Sequence, residues 1–162
     1  MKKKYKICII MAIIINLMPV YAQLKSFKFE QLDSLQQTQK RHSVAFIYTE
    51  WCSFCKVMTA TTLKNKKVLN ILNEKFYYLT LDASEQRTII FNKSMFKYNP
   101  SGYNLGINEL AIALGTVNNQ LTYPTLCILN YKNEIVFQHS GFLNSEKLMQ
   151  LLTNLYTTTK TE

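Results

Sequence analysis

The segment "EWCSFCK", residues 50–56, holds two cysteines separated by two residues, beside the one tryptophan of the chain. Three kinds of chemistry use such a pair. Cys52 and Cys55 can form a redox couple, half of a zinc site, or a structural disulfide. The rest of the sequence has to decide among them.

The other cysteines and histidines argue against a metal. A structural zinc site needs four ligands, mostly Cys and His. Beyond the pair, residues 23–162 contain Cys127, His42 and His139, with no second closely spaced pair. We therefore expect no metal site, and we expect Cys127, inside the apolar run "TLCIL", to fill the core. A structural disulfide across so short a loop would restrict the unfolded chain little, so a redox couple is the favoured interpretation.

The elements around the pair have to position it. Apolar residues at helical spacing, short β-branched or aromatic runs and turn residues predict the first half of the fold. The predicted order is a helix (27–41), a buried strand (43–49), a helix after Cys52, a short helix (68–72) and a strand (76–82). Such alternation of helices and strands favours a layered α/β sheet.

Cys52 falls at the N-terminus of the predicted second helix. Unpaired backbone N–H groups and the helix dipole favour an anion there. A cysteine in a Cys-x-x-Cys motif at a helix start can have its pKa lowered from about 8.5 to roughly 3.5–7.5. Cys52 is thus the predicted nucleophile. Cys55 follows nearly one turn later on the same side of the helix and is the predicted resolving thiol.

The second half of the sequence changes character at about residue 84. Its apolar runs and turn residues again predict the elements. They are a hairpin (88–98) turning at Asn92-Lys93, a loop (99–106), a helix (107–115), a strand (123–129), a strand from 134 and a last helix with Asn144 as its N-cap.

Two motifs together resemble the thioredoxin family. One is Trp-Cys-x-x-Cys-Lys at 51–56 after a strand, and the other is Tyr-Pro-Thr at 123–125 opening a later strand. The resemblance runs from Val44 to about Leu155. It implies the thioredoxin fold, an α/β fold with a central mixed sheet flanked by helices in the order β-α-β-α-β-β-α.

The resemblance also implies roles for residues near the pair. It implies a cis peptide bond between Tyr123 and Pro124, with the proline packed against the active-site cysteines. The backbone of Tyr123 would pair with an extended substrate segment, a form of strand addition. Trp51 would shield the active site, although its size alone also suits a packing role.

The chain departs from the family pattern in two places. About thirty extra residues separate Cys55 from Pro124, and the segment 84–120 accounts for them as a hairpin-plus-helix insertion. It is similar to an elaboration of secreted bacterial thioredoxin-like proteins. We expect it to cover a sheet edge or to shape a substrate groove.

The second departure is Phe46. Thioredoxins commonly carry a buried acid six residues before the first cysteine, where it takes part in proton transfer to the resolving thiol, and here that position is aromatic. Glu50 is close enough in sequence to substitute for the acid, and Lys56 to stabilise the Cys52 thiolate. The alternative for both is an ordinary surface charge.

The N-terminus has the pattern of a secretory signal peptide over residues 1–22. Four lysines precede an apolar run (7–15), and "VYA" precedes the predicted cleavage after Ala22. An uncleaved membrane anchor is the alternative, but Asn16 and Pro19 interrupt the run, and a spanning helix wants about 20 apolar residues. Residues 23–162 then form one thioredoxin-like domain in an exported location, periplasmic in a Gram-negative bacterium.

The formal charge of +9 comes partly from the signal peptide. Four of the nineteen basic residues and none of the ten acidic residues lie in 1–22, which leaves fifteen against ten. The dense basic patch of Lys64, Lys66 and Lys67 has no interleaved aromatic pattern for base stacking. We therefore expect no nucleic-acid partner, and contact with a membrane through the signal peptide alone.

The predicted function is an exported thiol-disulfide oxidoreductase with Cys52 and Cys55 as its redox pair and no cofactor. Its partners would be proteins with disulfides and a thiol electron donor. The motif is similar to that of the C-terminal thioredoxin-like domain of transmembrane disulfide reductases, which favours a reductase over an oxidase or isomerase. The rival hypothesis is a non-catalytic binding module whose disulfide is inert.

Overall fold

A computed structural model of the protein describes residues 23–103 and 105–158. The predicted signal peptide lies outside these residues, so it stays a prediction. Within them, a central mixed sheet is flanked by helices on both faces, and the predicted fold class is confirmed. The sheet has five strands in the order β1-β3-β2-β10-β11: β1 (Ser26–Phe27), β2 (His42–Tyr48), β3 (Phe76–Asp82), β10 (Thr125–Leu129) and β11 (Ile135–Ser140).

The sheet is mixed in strand direction. β1 and β2 both run parallel to β3, whereas β10 is antiparallel to β2 and to β11. Among the residues that the structure describes, five helices surround the sheet, with 3-10 turns at Phe29–Gln31 and Thr62–Lys64. They are α1 (Leu32–Thr38), α2 (Ser53–Ala60), α3 (Lys66–Lys75), α4 (Glu109–Gly115) and α5 (Ser145–Thr158).

Alternating side chains give the sheet two apolar faces, because successive residues of a strand point to opposite sides. In β2, Ala45 and Ile47 face α1 and α4, whereas Val44 and Phe46 face α2, α3 and α5. The first cluster includes Leu32, Leu79, Leu110 and Leu114. The second includes Met58, Leu72, Leu126, Leu148 and both cysteines of the motif. The redox pair is thus held by one of the two cores.

The boundaries of the first helix differ from the prediction of 27–41. Phe27 belongs to β1 and pairs with Leu79 of β3, and the backbone of Lys28 is extended. The regular helix covers Leu32–Thr38, since Gln39 returns to an extended conformation. The apolar spacing from Phe29 correctly predicted a helix. It could not predict β1, because β1 pairs with residues of β3 about fifty positions away.

The segment 84–120 contains more structure than predicted. The hairpin is present as β4 (Ile89–Phe91) and β5 (Ser94–Phe96), and Asn92 and Lys93 both have positive φ, as the expected two-residue turn requires. The loop predicted at 99–106 is wrong. Tyr98–Gly102 (β6) and Leu105–Asn108 (β7) pair as an antiparallel ribbon, and Thr116–Val117 (β8) pairs with Gln120–Leu121 (β9).

Gly106 shows why "NPSGYNLG" forms a ribbon. A Cβ atom there would lie 2.6 Å from the carbonyl oxygen of Asn99 and against the ring of Tyr98, so the two strands approach closely at a residue without a side chain. The glycine and proline residues that predicted a loop instead lie in two short strands that pair closely.

The predicted helix 107–115 begins at Glu109, because Ile107 and Asn108 complete β7. Asn108 is buried and its Oδ1 accepts the N–H of Leu110 at 3.0 Å, so it is the N-cap of α4. Leu110, Ala111 and Leu114 then pack on the sheet face beside Ile47. The segment therefore supplies core side chains and covers a face of the sheet.

Candidate active site

Cys52 is the N-cap of α2. Its backbone is extended, and its Sγ atom accepts the N–H of Cys55 at 3.0 Å. Its own N–H donates to the carbonyl oxygen of Thr49 at 3.2 Å, which fixes the turn between β2 and α2. The sulfur therefore lies where an unpaired N–H group and the helix dipole favour negative charge, as the sequence predicted.

Cys52 and Cys55 form a disulfide, with their Cα atoms 5.2 Å apart. Both residues are buried, and Cys55 is only 2% exposed. They pack in the second core cluster with Phe46, Met58 and Leu126. These apolar side chains lie beneath the disulfide, and we call them the apolar floor. The start of α2 provides the polar groups next to the disulfide.

Two large apolar side chains surround the pair at the surface. Trp51 is 74% exposed and Phe54, between the cysteines, is 64% exposed. The Trp51 ring meets the Tyr123 ring edge to face, with centroids 5.8 Å apart. Such exposed aromatic groups are typical of a protein-binding surface.

The peptide bond between Tyr123 and Pro124 is cis. The strand predicted from 123 accordingly starts at Thr125, after this bond. The carbonyl oxygen of Pro124 accepts the N–H of Gly141 at 2.7 Å. Gly141 has φ +98, a conformation that favours glycine, and the following Phe142 is exposed. The Tyr-Pro-Thr segment and the end of β11 are thereby tied together.

Phe46 occupies the position of the family's buried acid. Its ring is buried and stacks on Tyr48, with centroids 5.7 Å apart and an interplanar angle of 15°. Burial raises the pKa of the Tyr48 phenol, and the charges of Asp82, Glu50 and Glu85 add to that rise. Tyr48 is therefore protonated at neutral pH.

Glu50 and Lys56 are exposed, and both line a groove that reaches Cys55. We call this the side groove. Its volume is about 510 Å³, and its walls are Tyr48, Thr49, Glu50, Cys55, Lys56, Thr59, Ala60 and Lys64. Both predicted charged residues thus line the same groove as Cys55.

A comparison with models of protein families shows to which family the chain belongs. Residues 29–156 match the model of a thioredoxin-like domain, which is most of the chain. The chain belongs to the thioredoxin-like family. The resemblance seen in its motifs is therefore confirmed at the level of the family.

Solved structures share the fold of this thioredoxin-like chain at low sequence identity. A thioredoxin from Thermus thermophilus is 16% identical over 82% of this chain and 87% of its own, with a TM-score of 0.58. The C-terminal domain of Neisseria meningitidis DsbD in the reduced form is 16% identical over 77% and 90%, with a TM-score of 0.51. The oxidoreductase DsbH is 12% identical over 85% and 88%, with a TM-score of 0.58. No curated protein sequence matches the chain.

A thioredoxin-like fold with a disulfide-bonded Cys-x-x-Cys at a helix start identifies the enzyme class. The thioredoxin-like chain is a thiol-disulfide oxidoreductase. Among residues 23–103 and 105–158, no three Cys, His, Asp or Glu side chains come together as metal ligands would. Within the same residues, no helix has the length and apolar character needed to span a bilayer.

Cys127 has an environment unlike that of the pair. It lies in β10 between Ala45 and Gln138, fully buried, and burial raises the pKa of its thiol to about 12. The thiol is therefore protonated and packed as a small apolar group, as its sequence context predicted.

The structure adds three residues to the predicted neighbourhood of the pair. Tyr48 and Lys64 line the side groove, and Phe142 follows the glycine that binds Pro124. The sequence held one signal for Phe142, a glycine directly after a strand. The sequence showed Lys64 only as part of a basic patch, because its place in the side groove depends on how the 3-10 turn packs against α2.

Proposed function

We propose that this thioredoxin-like protein is exported and reduces disulfides in other proteins. The observation that carries the proposal is the Cys52 sulfur at the start of α2, where it accepts the Cys55 N–H beside the exposed Trp51. The helix start suits a thiolate nucleophile, and the exposed Trp51 beside it suits contact with a protein substrate.

The reaction exchanges disulfides in two steps. The Cys52 thiolate attacks a substrate disulfide, so that a Cys52–substrate disulfide forms and one substrate thiolate leaves. Cys55, after losing its proton, attacks the Cys52 sulfur, closes the Cys52–Cys55 disulfide and releases the second substrate thiolate. Two electrons pass from the pair to the substrate. Because they move between sulfur atoms, we propose that no cofactor takes part and that a thiol donor regenerates the pair.

The substrate segment would lie across Trp51, Tyr123 and Pro124. The edge-to-face contact of Trp51 with Tyr123 supports this placement, since it joins the motif and the cis-proline turn in one surface. An extended segment would pair there with the backbone of Tyr123. We expect Trp51→Ala to weaken trapping of a substrate protein more than reaction with a small disulfide.

The proposed direction of electron flow depends on how strongly the protein stabilises the Cys52 thiolate beyond its position at the helix start. Ser53 and Phe54, between the cysteines, carry no charge, and the floor beneath the pair is apolar. A strongly oxidising couple needs a stabilised reduced form. Weak stabilisation therefore favours a reductase, and the resemblance of the Trp-Cys-x-x-Cys-Lys motif to that of transmembrane disulfide reductases supports the same direction.

The reduction potential tests the direction. The protein would be equilibrated with defined dithiol buffers and its free thiols counted. We expect a value near or below about −250 mV. A value above about −180 mV would instead assign an oxidase or isomerase.

Alkylation tests whether the protein acts on disulfides at all. We expect Cys52 of the reduced protein to react with iodoacetamide at pH 6 faster than a model thiol. We also expect Cys55→Ser to trap mixed disulfides from an extract. Failure of both would support a binding module with an inert disulfide.

Export has its own test. The protein would be expressed in a Gram-negative host, and its location and N-terminal mass determined. We expect a periplasmic product that begins at Gln23, and a cytoplasmic product that begins at Met1 would contradict export.

A further inference from the structure

The two cysteines face different surroundings. Cys52 directly follows the exposed Trp51, whose ring contacts the partly buried Tyr123, whereas Cys55 forms part of the wall of the side groove. Among the described residues, the lining of the side groove includes neither Cys52 nor Pro124. A substrate attached to Cys52 would therefore leave the route to Cys55 open.

The second step of the reaction requires that route. Cys55 has to lose a proton before it can attack, because the thiolate is the nucleophile. Its core neighbours include Phe46, Met58 and Leu126, none of which accepts a proton. A thiol in apolar surroundings ionises reluctantly unless a base or a cation is within reach.

The side groove supplies these groups. Glu50 is the one carboxylate among its lining residues, and Lys56 and Lys64 bring two ammonium groups. Tyr48 also lines it, and the charge of Glu50 contributes to the raised pKa of that phenol. Since Tyr48 also senses Asp82 and Glu85, its proton stays in place near pH 7, which leaves Glu50 as the acceptor.

We propose that Glu50 takes the proton from Cys55 through the side groove during resolution of the mixed disulfide. This inference rests on the proposed function. The Cys55 S–H bond breaks first, the Cys55 thiolate then bonds to the Cys52 sulfur, and the Cys52–substrate bond breaks to release a substrate thiolate. The proton reaches the Glu50 carboxylate, through water in the groove, and from there the solvent. Lys56 and Lys64 offset the charge that develops on Cys55.

Reaction of the reduced protein with Ellman's reagent in a stopped flow separates the two steps. The first equivalent of the yellow thiolate reports attack by Cys52, and the second reports resolution by Cys55. At pH 7 we expect Glu50→Gln to slow the second phase about 100-fold and to leave the first unchanged. Its second phase should recover as the pH rises, because hydroxide replaces the carboxylate. Glu50→Asp should restore part of the rate.

The control is Glu74→Gln. It removes the same charge near the starts of β2 and β3, at the other end of the sheet, and should change neither phase. Ala60→Leu narrows the side groove without altering a charge, and should slow the second phase alone. Circular dichroism would show that each variant is folded.

The outcomes are distinguishable. A normal first phase with an unchanged second phase in Glu50→Gln would overturn the inference and leave the proposed function intact. Equal slowing of both phases would also overturn it, since Glu50 would then act on Cys52. If the wild-type protein shows neither phase, the proposed function fails and the inference fails with it.

Discussion

A helix begins at one end of the central sheet, and another helix finishes at the opposite end. At one end β2 finishes at Tyr48 and α2 begins directly after Cys52. At the other end α3 finishes at Lys75, immediately before β3 starts. A helix start favours an anion and a helix end favours a cation. The direction of the chain thus gives one end a thiolate position and the other a set of basic residues.

The basic end has its own cavity, of about 590 Å³, lined in part by Lys40, Arg41 and Lys75. The guanidinium of Arg41 donates to the carbonyl oxygen of Asn73 in the last turn of α3 at 3.4 Å, and to Oε1 of Gln39 at 2.6 Å. These cations therefore complement the ends of α1 and α3.

The volumes of the two cavities do not indicate which of them belongs to the candidate active site. The cavity at the basic end is larger than the side groove, at about 590 against 510 Å³, yet its cations are explained by helix ends. The smaller one reaches a cysteine of the redox pair. Contact with the disulfide at the helix start, and not volume, thus marks the side groove as part of the candidate active site.

The largest expected effect is the difference in activity between a variant of Cys52, at the end of the sheet, and a variant of Cys127, at its centre. Cys52→Ala should lower the rate of insulin disulfide reduction by at least about 1,000-fold, because the nucleophile is lost. Cys127→Ala should change it less than about 2-fold, since that thiol is a packed apolar group. A large loss in Cys127→Ala would contradict the comparison.

The next effect tests the apolar floor at the active end. Phe46→Asp would place a carboxylate among Met58 and Leu126 with no partner. We expect the free energy of unfolding of the oxidised protein to fall by at least about 3 kcal/mol in urea. Phe46→Leu is the control for lost volume and should cost about 1.5 kcal/mol or less. Equal costs would show that the floor tolerates charge.

The sequence predicted the position of Cys52 at a helix start, because the signals for that position are local. Cys52 follows a strand and precedes a helix, so its place at the helix start needed no tertiary information. The cis bond at Pro124, in contrast, was inferred from the family resemblance alone. The central mixed sheet likewise followed from that resemblance, whereas the order of its strands is known only from the structure.

The segment after residue 84 shows what local patterns omit. The ribbon of β6 and β7 consists of five and four residues, rich in glycine and proline, and its pairing places Gly106 against Asn99. No periodicity distinguishes it from a loop. The side groove was missed for a related reason, since Tyr48 and Lys64 lie sixteen positions apart in sequence and meet only when α2 and the following turn have packed.

A third prediction uses the pKa of Cys127. Burial raises that pKa from 9.0 to about 12, so the folded protein holds a proton that the unfolded chain releases. This contribution to stability is complete below about pH 9 and is lost as the pH rises towards 12. Between pH 9 and 10 the free energy of unfolding of the wild type should fall about 1 kcal/mol more than that of Cys127→Ala. Parallel curves for the two proteins in urea would contradict the shift.

The smallest effect tests the basic end itself. Lys75 is the last residue of α3, and its ammonium group lies 5.5 Å from the centre of the Tyr156 ring. Lys75→Gln should lower the free energy of unfolding by about 0.3–1 kcal/mol at low salt, and by less at high salt. Lys147→Gln removes the same charge from the first turn of α5, where a cation is unfavourable, and should be neutral or slightly stabilising. Neither variant should shift the reduction potential of the pair. If both cost the same, the helix direction would not be what places the cations, and the contrast between the two ends would reduce to the thiolate position alone.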